Sequence, residues 1–245
     1  MYAIVHRKYG TPDVLAYEEI ERPVPGDEDV LVRVHAAGAS IGDYMIVTGK
    51  PYLIRLSPFG GFPRPRNLVP GACMAGRVEA VGRKVTTFRP GDEVYGEAAP
   101  TGAFAEYFAV PAKLIAPKPS NLSFEEAAAT PWGVNALQGL RDAGGLKAGQ
   151  NVLINGASGG VGTWAVQIAK ALGAHVTAVC STRNVAMVRA LGAETRWWTT
   201  RSTTSSTAGR ASTWCWTRSA IARCRTAGAS WCPRVPLSRA PEGRP

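Results

Sequence analysis

NVLINGASGGVGTWAVQIAKAL, residues 151–172, is the stretch from which the fold of this chain can be predicted. It starts with a short apolar run typical of a buried strand, continues with a glycine-rich turn, and ends with apolar residues at the period of an amphipathic helix. A second strand at residues 175–180 and a second helix at residues 184–191 follow. The order predicts a βαβα unit with parallel strands.

The turn GASGGVG, residues 156–162, carries the strongest chemical signal. Gly159 and Gly162 allow a pyrophosphate to approach the backbone and the helix to pack on the strand, while amides at the helix N-terminus attract negative charge. The first glycine of the usual G-x-G-x-x-G pattern is replaced by Ala157. The alternative is a turn needed only for packing. The predicted cofactor-binding residues here are Ala157, Ser158, Gly159, Gly160, Val161 and Gly162.

The end of the second strand indicates which dinucleotide would bind. A site that prefers NAD usually presents Asp or Glu there to the ribose hydroxyls. This chain has Ser181, Thr182 and Arg183 instead. No acid repels a 2′-phosphate, and a guanidinium can bind one. We therefore predict that these residues select NADP (NADPH), against the alternative that Arg183 is only a solvated residue of the first helical turn.

The first 119 residues have a different pattern, of strands and turns. Alternating apolar residues and Gly/Pro punctuation predict a β-rich, barrel-like domain with one short helix at residues 40–48. Ser123 and Glu126 form a capping box that predicts the start of a later helix, and Pro131 should kink or break that helix. The predicted strands are at residues 2–8, 15–21, 30–38, 75–82, 92–97 and 104–110.

Charge divides the 245-residue chain unevenly. Residues 196–245 hold nine Arg against one acid, so they carry +8 of the net +10 and leave +2 for residues 1–195. That small balance gives nucleic-acid binding by the body little electrostatic support. The 45% hydrophobic content permits a sizeable core, and the absence of both a long apolar run and an apolar leader favours a cytoplasmic protein.

Residues 196–245 have an unusual composition. They lack Lys, Asp, Asn, Gln, Phe, Tyr, His and Met but contain five of the seven Trp. One interpretation is a basic disordered extension that binds nucleic acid. We favour another, drawn from the genetic code, in which Trp is always TGG and Thr always ACx. Read from the third codon position, residues 197–199 become Val, Leu or Met, then Val and Asp, and residues 212–217 allow Asp-Val-Val-Leu-Asp.

Both shifted strings are typical of short buried strands. We interpret the tail as an out-of-frame translation that begins near Glu194. The visible βαβα unit would then stop after two strands, and the hidden strings would mark where the next two strands of a doubly wound sheet belong.

The chain resembles the medium-chain dehydrogenase/reductase superfamily, specifically its zinc-independent quinone oxidoreductase, or zeta-crystallin-like, branch. The resemblance covers residues 1–193 almost end to end. It rests on the segments VLINGASGGVGTWAVQIAKALGAHVTAVCSTRNVAMVRALGA, YGTPDVL, VPGDEDVLVRVHAAG, AGRVEAVG, FRPGDEVYG, GAFAEY and NLSFEEAAA.

This resemblance implies an α/β protein with an N-terminal GroES-like β-barrel catalytic domain and a C-terminal Rossmann-type parallel sheet, left incomplete by the frameshift. The expected domains are the GroES-like domain at 1–119, a partial Rossmann domain at 120–195 and a poorly ordered tail at 196–245. The resemblance also implies an enzyme that transfers a hydride from a nicotinamide. Family members often form homodimers, through strands that would lie beyond Thr195.

No metal is expected. The zinc-dependent branch uses a Cys, a His-Glu pair and a four-Cys lobe, whereas residues 38–46 lack Cys and residues 71–74 (GACM) lack His-Glu. Cys73 and Cys180 are better interpreted as small buried hydrophobes than as nucleophiles. The three histidines, His6, His35 and His175, are most simply structural.

Without a metal, a substrate carbonyl must be polarised by hydrogen-bond donors and water. Relatives often carry Asn where this chain has Ser40, and an aromatic residue where it has Tyr44. We therefore name Tyr44 and Ser40 as candidate catalytic residues, Tyr44 flanking the nicotinamide or donating to the substrate oxygen. The alternative for Tyr44 is an amphipathic tyrosine of the core.

The leading hypothesis is an NADPH-dependent oxidoreductase acting on a quinone, an activated alkene or a related carbonyl compound. Its expected partner is a small-molecule substrate, with no nucleic acid and no membrane. Two other hypotheses stay open. In the first, the chain binds a nucleotide without turnover or binds RNA through its surface. In the second, it is a truncated product without a folded function.

Overall fold

The computed structural model describes residues 1–57, 60–97 and 102–193, together with the backbone of three strands further along the chain. The chain divides into two compact units, Met1–Pro131 and Trp132–Pro245. No helix among the described residues is long and apolar enough to cross a bilayer.

The first unit is built from antiparallel strands. β1 (Tyr2–His6) pairs with β2 (Leu15–Glu19) in a two-stranded sheet. A five-stranded antiparallel sheet has the order β6-β3-β4-β5-β7. Its strands are β3 (Asp29–Gly38), β4 (Cys73–Val81), β5 (Glu93–Glu97), β6 (Tyr107–Pro111) and β7 (Ile115–Pro117). The six predicted strands are confirmed, with boundaries moved by a few residues.

Alternation produces the core of this sheet. Inward-facing residues of neighbouring strands meet on one face, where they are shielded from water. The fully buried members include Val30, Val32, Met74, Val94 and Val110. Two helices join this unit, α1 (Ile41–Thr48) and α2 (Phe124–Ala129).

The helix predicted after Ser123 is broken at Pro131, as expected. α2 begins with the Ser123–Glu126 capping box and ends at Ala129, and α3 (Pro131–Leu137) starts with the proline at its first position. The unit boundary falls between Pro131 and Trp132 rather than after Pro119. The reason is packing, because buried Ala127 and Ala128 hold α2 against the antiparallel sheet.

The second unit contains the predicted βαβα segment. β8 (Asn151–Asn155), α4 (Gly160–Ala171), β9 (His175–Cys180) and α5 (Val185–Ala190) follow one another, and β8 and β9 are parallel. Side chains of β8, α4 and β9 share one apolar core. Its fully buried members include Val152, Ile154, Ala165, Val166 and Val176.

The structure corrects the expectation that strands end with β9. β10 (Trp197–Thr199) pairs parallel to β9, and β11 (Thr213–Thr217) pairs parallel to β8, because both edges of the two-stranded core offer unpaired backbone groups. These two strands lie where the shifted frame gives strand-forming strings. β12 (Ala220–Cys224) runs antiparallel to β11, so the five-stranded sheet is not a complete doubly wound one.

The frameshift itself stays a prediction. The poor order expected for residues 196–245 also stays a prediction, because most of that segment lies outside the described residues.

Candidate cofactor and catalytic sites

The glycine turn is fixed to the end of β9 by backbone hydrogen bonds. The amides of Gly156 and Ala157 both donate to the carbonyl oxygen of Val179, at 3.0 Å each. Gly156 has a φ of +75°, which glycine adopts at little cost. Gly159 is the N-cap of α4, and its backbone is exposed together with that of Gly160. The N-terminal amides of a twelve-residue helix are therefore presented at the carboxyl end of the sheet.

The two glycines at the start of α4 have different roles. A Cβ on Gly162 would overlap the carbonyl oxygen of Gly156 and would lie 2.9 Å from the Cα of Ala157, so this glycine permits close packing of helix and turn. A Cβ on Gly160 would meet nothing within 4 Å. The packing alternative therefore explains Gly162, while Gly160 borders open space that a ligand can fill.

Two of the other predicted turn residues point their side chains elsewhere. Ala157 is fully buried in the core, and Val161 is half-buried against it. Neither side chain contributes a polar group, so any contribution to phosphate binding comes from their amides.

Ser158 has a partner that the sequence patterns did not reveal. The side-chain amide of Asn184 donates to Ser158 Oγ at 3.0 Å, joining the loop after β8 to the start of α5 after β9. Since the serine oxygen accepts this bond, its own hydroxyl proton can be donated outward. Asn184 is thus a candidate positioning residue. It was missed because a separation of 26 residues has no periodic signature.

The predicted selectivity residues lie at the same end of the sheet. Ser181 is half-buried, while Thr182 and Arg183 are exposed in a short 3-10 turn, Thr182–Asn184. Among the described residues no acid pairs with Arg183. A free guanidinium, an outward hydroxyl and open helix amides together fit a phosphate-bearing dinucleotide.

Ser40 is the N-cap of α1. Its Oγ accepts from the amides of Gly42 (3.1 Å) and Asp43 (3.4 Å), and its hydroxyl donates to Asp43 Oδ2 at 2.7 Å. The Ser40 amide donates to the same carboxylate oxygen at 2.8 Å, which completes a capping box. This local role accounts for a serine at the position. A donor role toward a substrate requires exchange of the bond to Asp43.

Asp43 connects this cap to β4. The side chain is buried, and its second oxygen, Oδ1, accepts from the amide of Gly71 at 3.1 Å. Gly71 has a φ of +97°, and its carbonyl accepts from the amides of Gly102 and Ala103. One carboxylate therefore ties the start of α1 to the segment before β4, and no local sequence pattern singles this residue out.

Tyr44 is 52% exposed, which excludes the alternative of a core tyrosine. It lies on the first turn of α1, next to Asp43, and Thr48 Oγ1 donates to its backbone carbonyl. Its ring and hydroxyl are thus accessible to a ligand, as the prediction requires.

Cys73 and Cys180 are both buried, as expected. Burial, followed by the charges of Glu97 and Asp43, raises the pKa of the Cys73 thiol to about 12. Burial also raises the pKa of Cys180. A thiol with such a pKa is almost fully protonated at neutral pH and is a poor nucleophile.

His6 and His35 have packing environments. His6 is fully buried, and burial lowers its pKa, which favours the neutral ring. His35 stacks on Phe124 with the ring centroids 4.4 Å apart. Within the described ranges no three His, Cys, Asp or Glu side chains are grouped as a metal site would require. The expectation of no metal continues to rest on the sequence.

Removal of the Asp43 carboxylate is expected to cost more stability than removal of the Ser40 hydroxyl. Ser40→Ala loses one helix cap, worth about 0.5–2 kcal/mol. Asp43→Ala leaves the half-buried amide of Ser40 and the buried amide of Gly71 without their acceptor, and the buried one alone costs about 1–3 kcal/mol. Urea unfolding of both variants measures the difference. Equal losses would contradict the buried connection to Gly71.

Residues 26–120 match the alcohol dehydrogenase GroES-like domain family. The chain is 36% identical over 203 residues to a chloroplast envelope quinone oxidoreductase homolog of Arabidopsis thaliana, covering 79% of this chain and 60% of that protein. It is also 36% identical to a 2-methylene-furan-3-one reductase of Solanum lycopersicum, covering 79% of this chain and 51% of the relative. The chain belongs to the medium-chain dehydrogenase/reductase superfamily.

Within this superfamily it falls in the zinc-independent quinone oxidoreductase branch. The crystal structure of Escherichia coli quinone oxidoreductase complexed with NADPH superimposes with a TM-score of 0.71 at 29% identity, covering 83% of this chain and 60% of that chain. The predicted combination of a GroES-like domain with a Rossmann-type parallel sheet is confirmed. This chain spans about half to three fifths of the length of these relatives.

Proposed function

We propose that this chain is an oxidoreductase that uses NADPH, without zinc, to reduce a quinone, an activated alkene or a related carbonyl compound. The observation that carries the proposal is the arrangement of hydrogen-bond donors at the carboxyl ends of β8 and β9. There the N-terminus of α4 follows β8, and Arg183, which pairs with no acid among the described residues, follows the adjacent parallel strand β9. The relatives, among them quinone and furanone reductases, support the reaction class.

The chain's own residues would bind the cofactor in two places. The exposed amide of Gly160 would donate to the pyrophosphate, since the Gly159 amide already donates to the Gly156 carbonyl, and Ser158, oriented by Asn184, would add a hydroxyl donor. Ser181, Thr182 and Arg183 would contact the adenosine ribose and its 2′-phosphate. A bound NADPH would supply a hydride to the substrate.

Tyr44 and Ser40 are the proposed groups on the substrate side. The accessible Tyr44 ring would flank the nicotinamide, or its hydroxyl would donate to the substrate oxygen. Ser40 would assist by donating its hydroxyl proton once the bond to Asp43 is exchanged. A Ser40→Ala chain that loses only helix stability, with kcat unchanged, would limit Ser40 to its capping role.

Arg183→Ala is expected to weaken NADPH binding by about ten- to a hundred-fold while leaving NADH binding nearly unchanged. One charge-assisted contact to a phosphate contributes about 1.5–3 kcal/mol to binding. NADH has no 2′-phosphate and therefore does not make this contact. Calorimetric titration with both dinucleotides measures the ratio. Arg189→Ala, on the following helix α5, is the matched control for loss of one positive charge.

An unchanged ratio of the two affinities in Arg183→Ala would contradict the proposed selectivity. A chain that binds neither dinucleotide would remove the basis of the proposed function. Quinone reduction is tested separately, with NADPH, a simple quinone and a chelator present.

A second candidate function is nucleotide binding without turnover. It is favoured by the hydrogen bond that directs the Ser40 hydroxyl proton to Asp43 rather than to a ligand. NADPH binding with no reduction of quinones or enones would select this alternative. We also propose that the protein acts in the cytoplasm and that its partner is a small-molecule substrate. The names of some relatives refer to chloroplasts or mitochondria, which are the alternative locations.

A further inference from the structure

Large apolar side chains are unusually exposed between α1 and β4. Leu53 and Phe62 are each 76% exposed and Leu56 is 75% exposed. Single exposed apolar residues are normal on protein surfaces, but contiguous groups of them mark interaction sites. Tyr52 adds an exposed aromatic ring to the same region.

The same region is strongly basic. From residue 44 to residue 74 the sequence holds four cations, Lys50, Arg55, Arg64 and Arg66, and no acid. Because residues 1–195 carry only +2, the remainder of the body is net negative. Lys50, Arg64 and Arg66 are exposed, and none of the acids in the described ranges pairs with them. The net charge of the body therefore conceals one positive region.

The backbone brings these residues together on one folded segment. Gly60 is buried against the backbone of Arg55, where an added Cβ would lie 2.6 Å from the Arg55 Cα. The amide of Arg66 donates to the Gly60 carbonyl at 3.3 Å, which closes the loop onto the 3-10 turn Tyr52–Leu56. The Arg55 guanidinium lies over the rings of Tyr9 and Tyr52, at 4.3 and 4.9 Å from their centroids.

Arg55 thus serves packing, and it leaves the other three cations for a partner. Its Nε also donates to the Gly49 carbonyl at 3.1 Å, and Tyr9 donates to the Gly61 carbonyl at 2.7 Å. Residues 52–56 and 60–66 are therefore held in place before any partner binds. We call the residues that it presents the basic apolar surface: Lys50, Leu53, Leu56, Phe62, Arg64 and Arg66.

We propose that the basic apolar surface docks the protein on an anionic lipid bilayer. Leucine and phenylalanine side chains that are three quarters exposed match insertion at the boundary of headgroups and acyl chains, whereas side chains lining a substrate pocket are mostly buried. Unpaired cations beside them match acidic headgroups. This replaces our expectation of no membrane partner, goes beyond the proposed function and does not rest on it.

The test must measure binding at residues 50–66 and not by the whole chain, because the arginine-rich segment after residue 195 would itself attract anionic vesicles. Hydrogen–deuterium exchange of the full chain is followed with and without vesicles of phosphatidylcholine and phosphatidylglycerol. Peptides covering residues 50–66 are expected to become protected, and vesicles of phosphatidylcholine alone should give little protection. High salt should reduce the effect because it screens the charges.

Two matched triple variants test the charges. Lys50→Gln with Arg64→Gln and Arg66→Gln is expected to raise the vesicle concentration for half-protection of residues 50–66 on the order of a hundredfold. The control removes the same charge from Arg83, Lys84 and Arg89, which are exposed on the same unit. It should shift that concentration by less than about threefold.

The apolar side chains are tested with Leu53→Ser, against Val24→Ser at a site 86% exposed. Only Leu53→Ser should weaken the protection. The proposal is overturned if residues 50–66 stay unprotected, if both triple variants lose protection equally, or if single-stranded RNA protects the surface and anionic vesicles do not. Protection that depends on protein concentration without lipid would indicate a second copy of this chain and would also overturn it.

Discussion

Gly162→Ala is expected to destabilise the second unit by about 2–4 kcal/mol, whereas Gly160→Ala should leave stability unchanged or slightly raised. Both positions lie in the first turn of α4, where alanine gains up to about 1 kcal/mol of helix propensity over glycine. At Gly162 this gain is outweighed, because the new Cβ would overlap the Gly156 carbonyl. Thermal unfolding of the two variants separates packing from propensity.

The same two variants should rank differently in NADPH affinity than in stability. Gly160→Ala keeps the fold, but its Cβ fills the open space beside the α4 amides, so NADPH affinity is expected to fall by at least about tenfold. If Gly160→Ala binds NADPH as the unchanged protein does, the open space is not part of the cofactor site. If Gly162→Ala has the same unfolding temperature as the unchanged protein, the inference that α4 packs too closely on the turn to admit a Cβ is wrong.

Restoring the shifted reading frame from the codon of Glu194 onward is expected to raise quinone reduction by at least about a hundredfold. The residues that we propose to hold the pyrophosphate and the ribose precede that codon, but β10, β11 and the sequence around them would change from Trp-, Thr- and Arg-rich to Val- and Asp-containing. The rate of hydride transfer depends strongly on the position of the nicotinamide, since small displacements reduce the rate by orders of magnitude.

The comparison uses both full chains with NADPH, a simple quinone and a chelator. Equal turnover would show that the sequence after Glu194 is not a lesion, and no turnover by the restored chain would contradict the reductase assignment. Resequencing the gene across the codons for residues 193–198 checks the frame directly. An unshifted frame together with a proteolysis-resistant segment 196–245 would refute the frameshift.

Much of the fold could be predicted because its signals are local. The capping boxes at Ser40 and Ser123 depend on residues three positions apart, the break at Pro131 on one residue, and β8, α4 and β9 on short-range periodicity. The Ser40 box has the same local signature, although the family resemblance points instead to a donor role for this serine.

Other features depend on which chain segments become neighbours. The assignment of α2 to the first unit follows from the burial of Ala127 and Ala128 against the antiparallel sheet, and no pattern within α2 specifies that partner. The addition of β10 and β11 follows from the free edges of β8 and β9. The sequence pattern of a strand does not predict which edge of a sheet the strand will join.

The βαβα unit, the glycine-rich turn and the absence of an acid at residues 181–183 could all be predicted from the chain alone, because each depends on adjacent residues. Only the tertiary structure showed that Asn184 orients Ser158, that Asp43 holds Gly71, and that Gly162 serves packing while Gly160 borders open space. Those relations join residues at strand ends and loops whose separation in space is set by β-sheet pairing and core packing, and neither leaves a periodic trace in the chain.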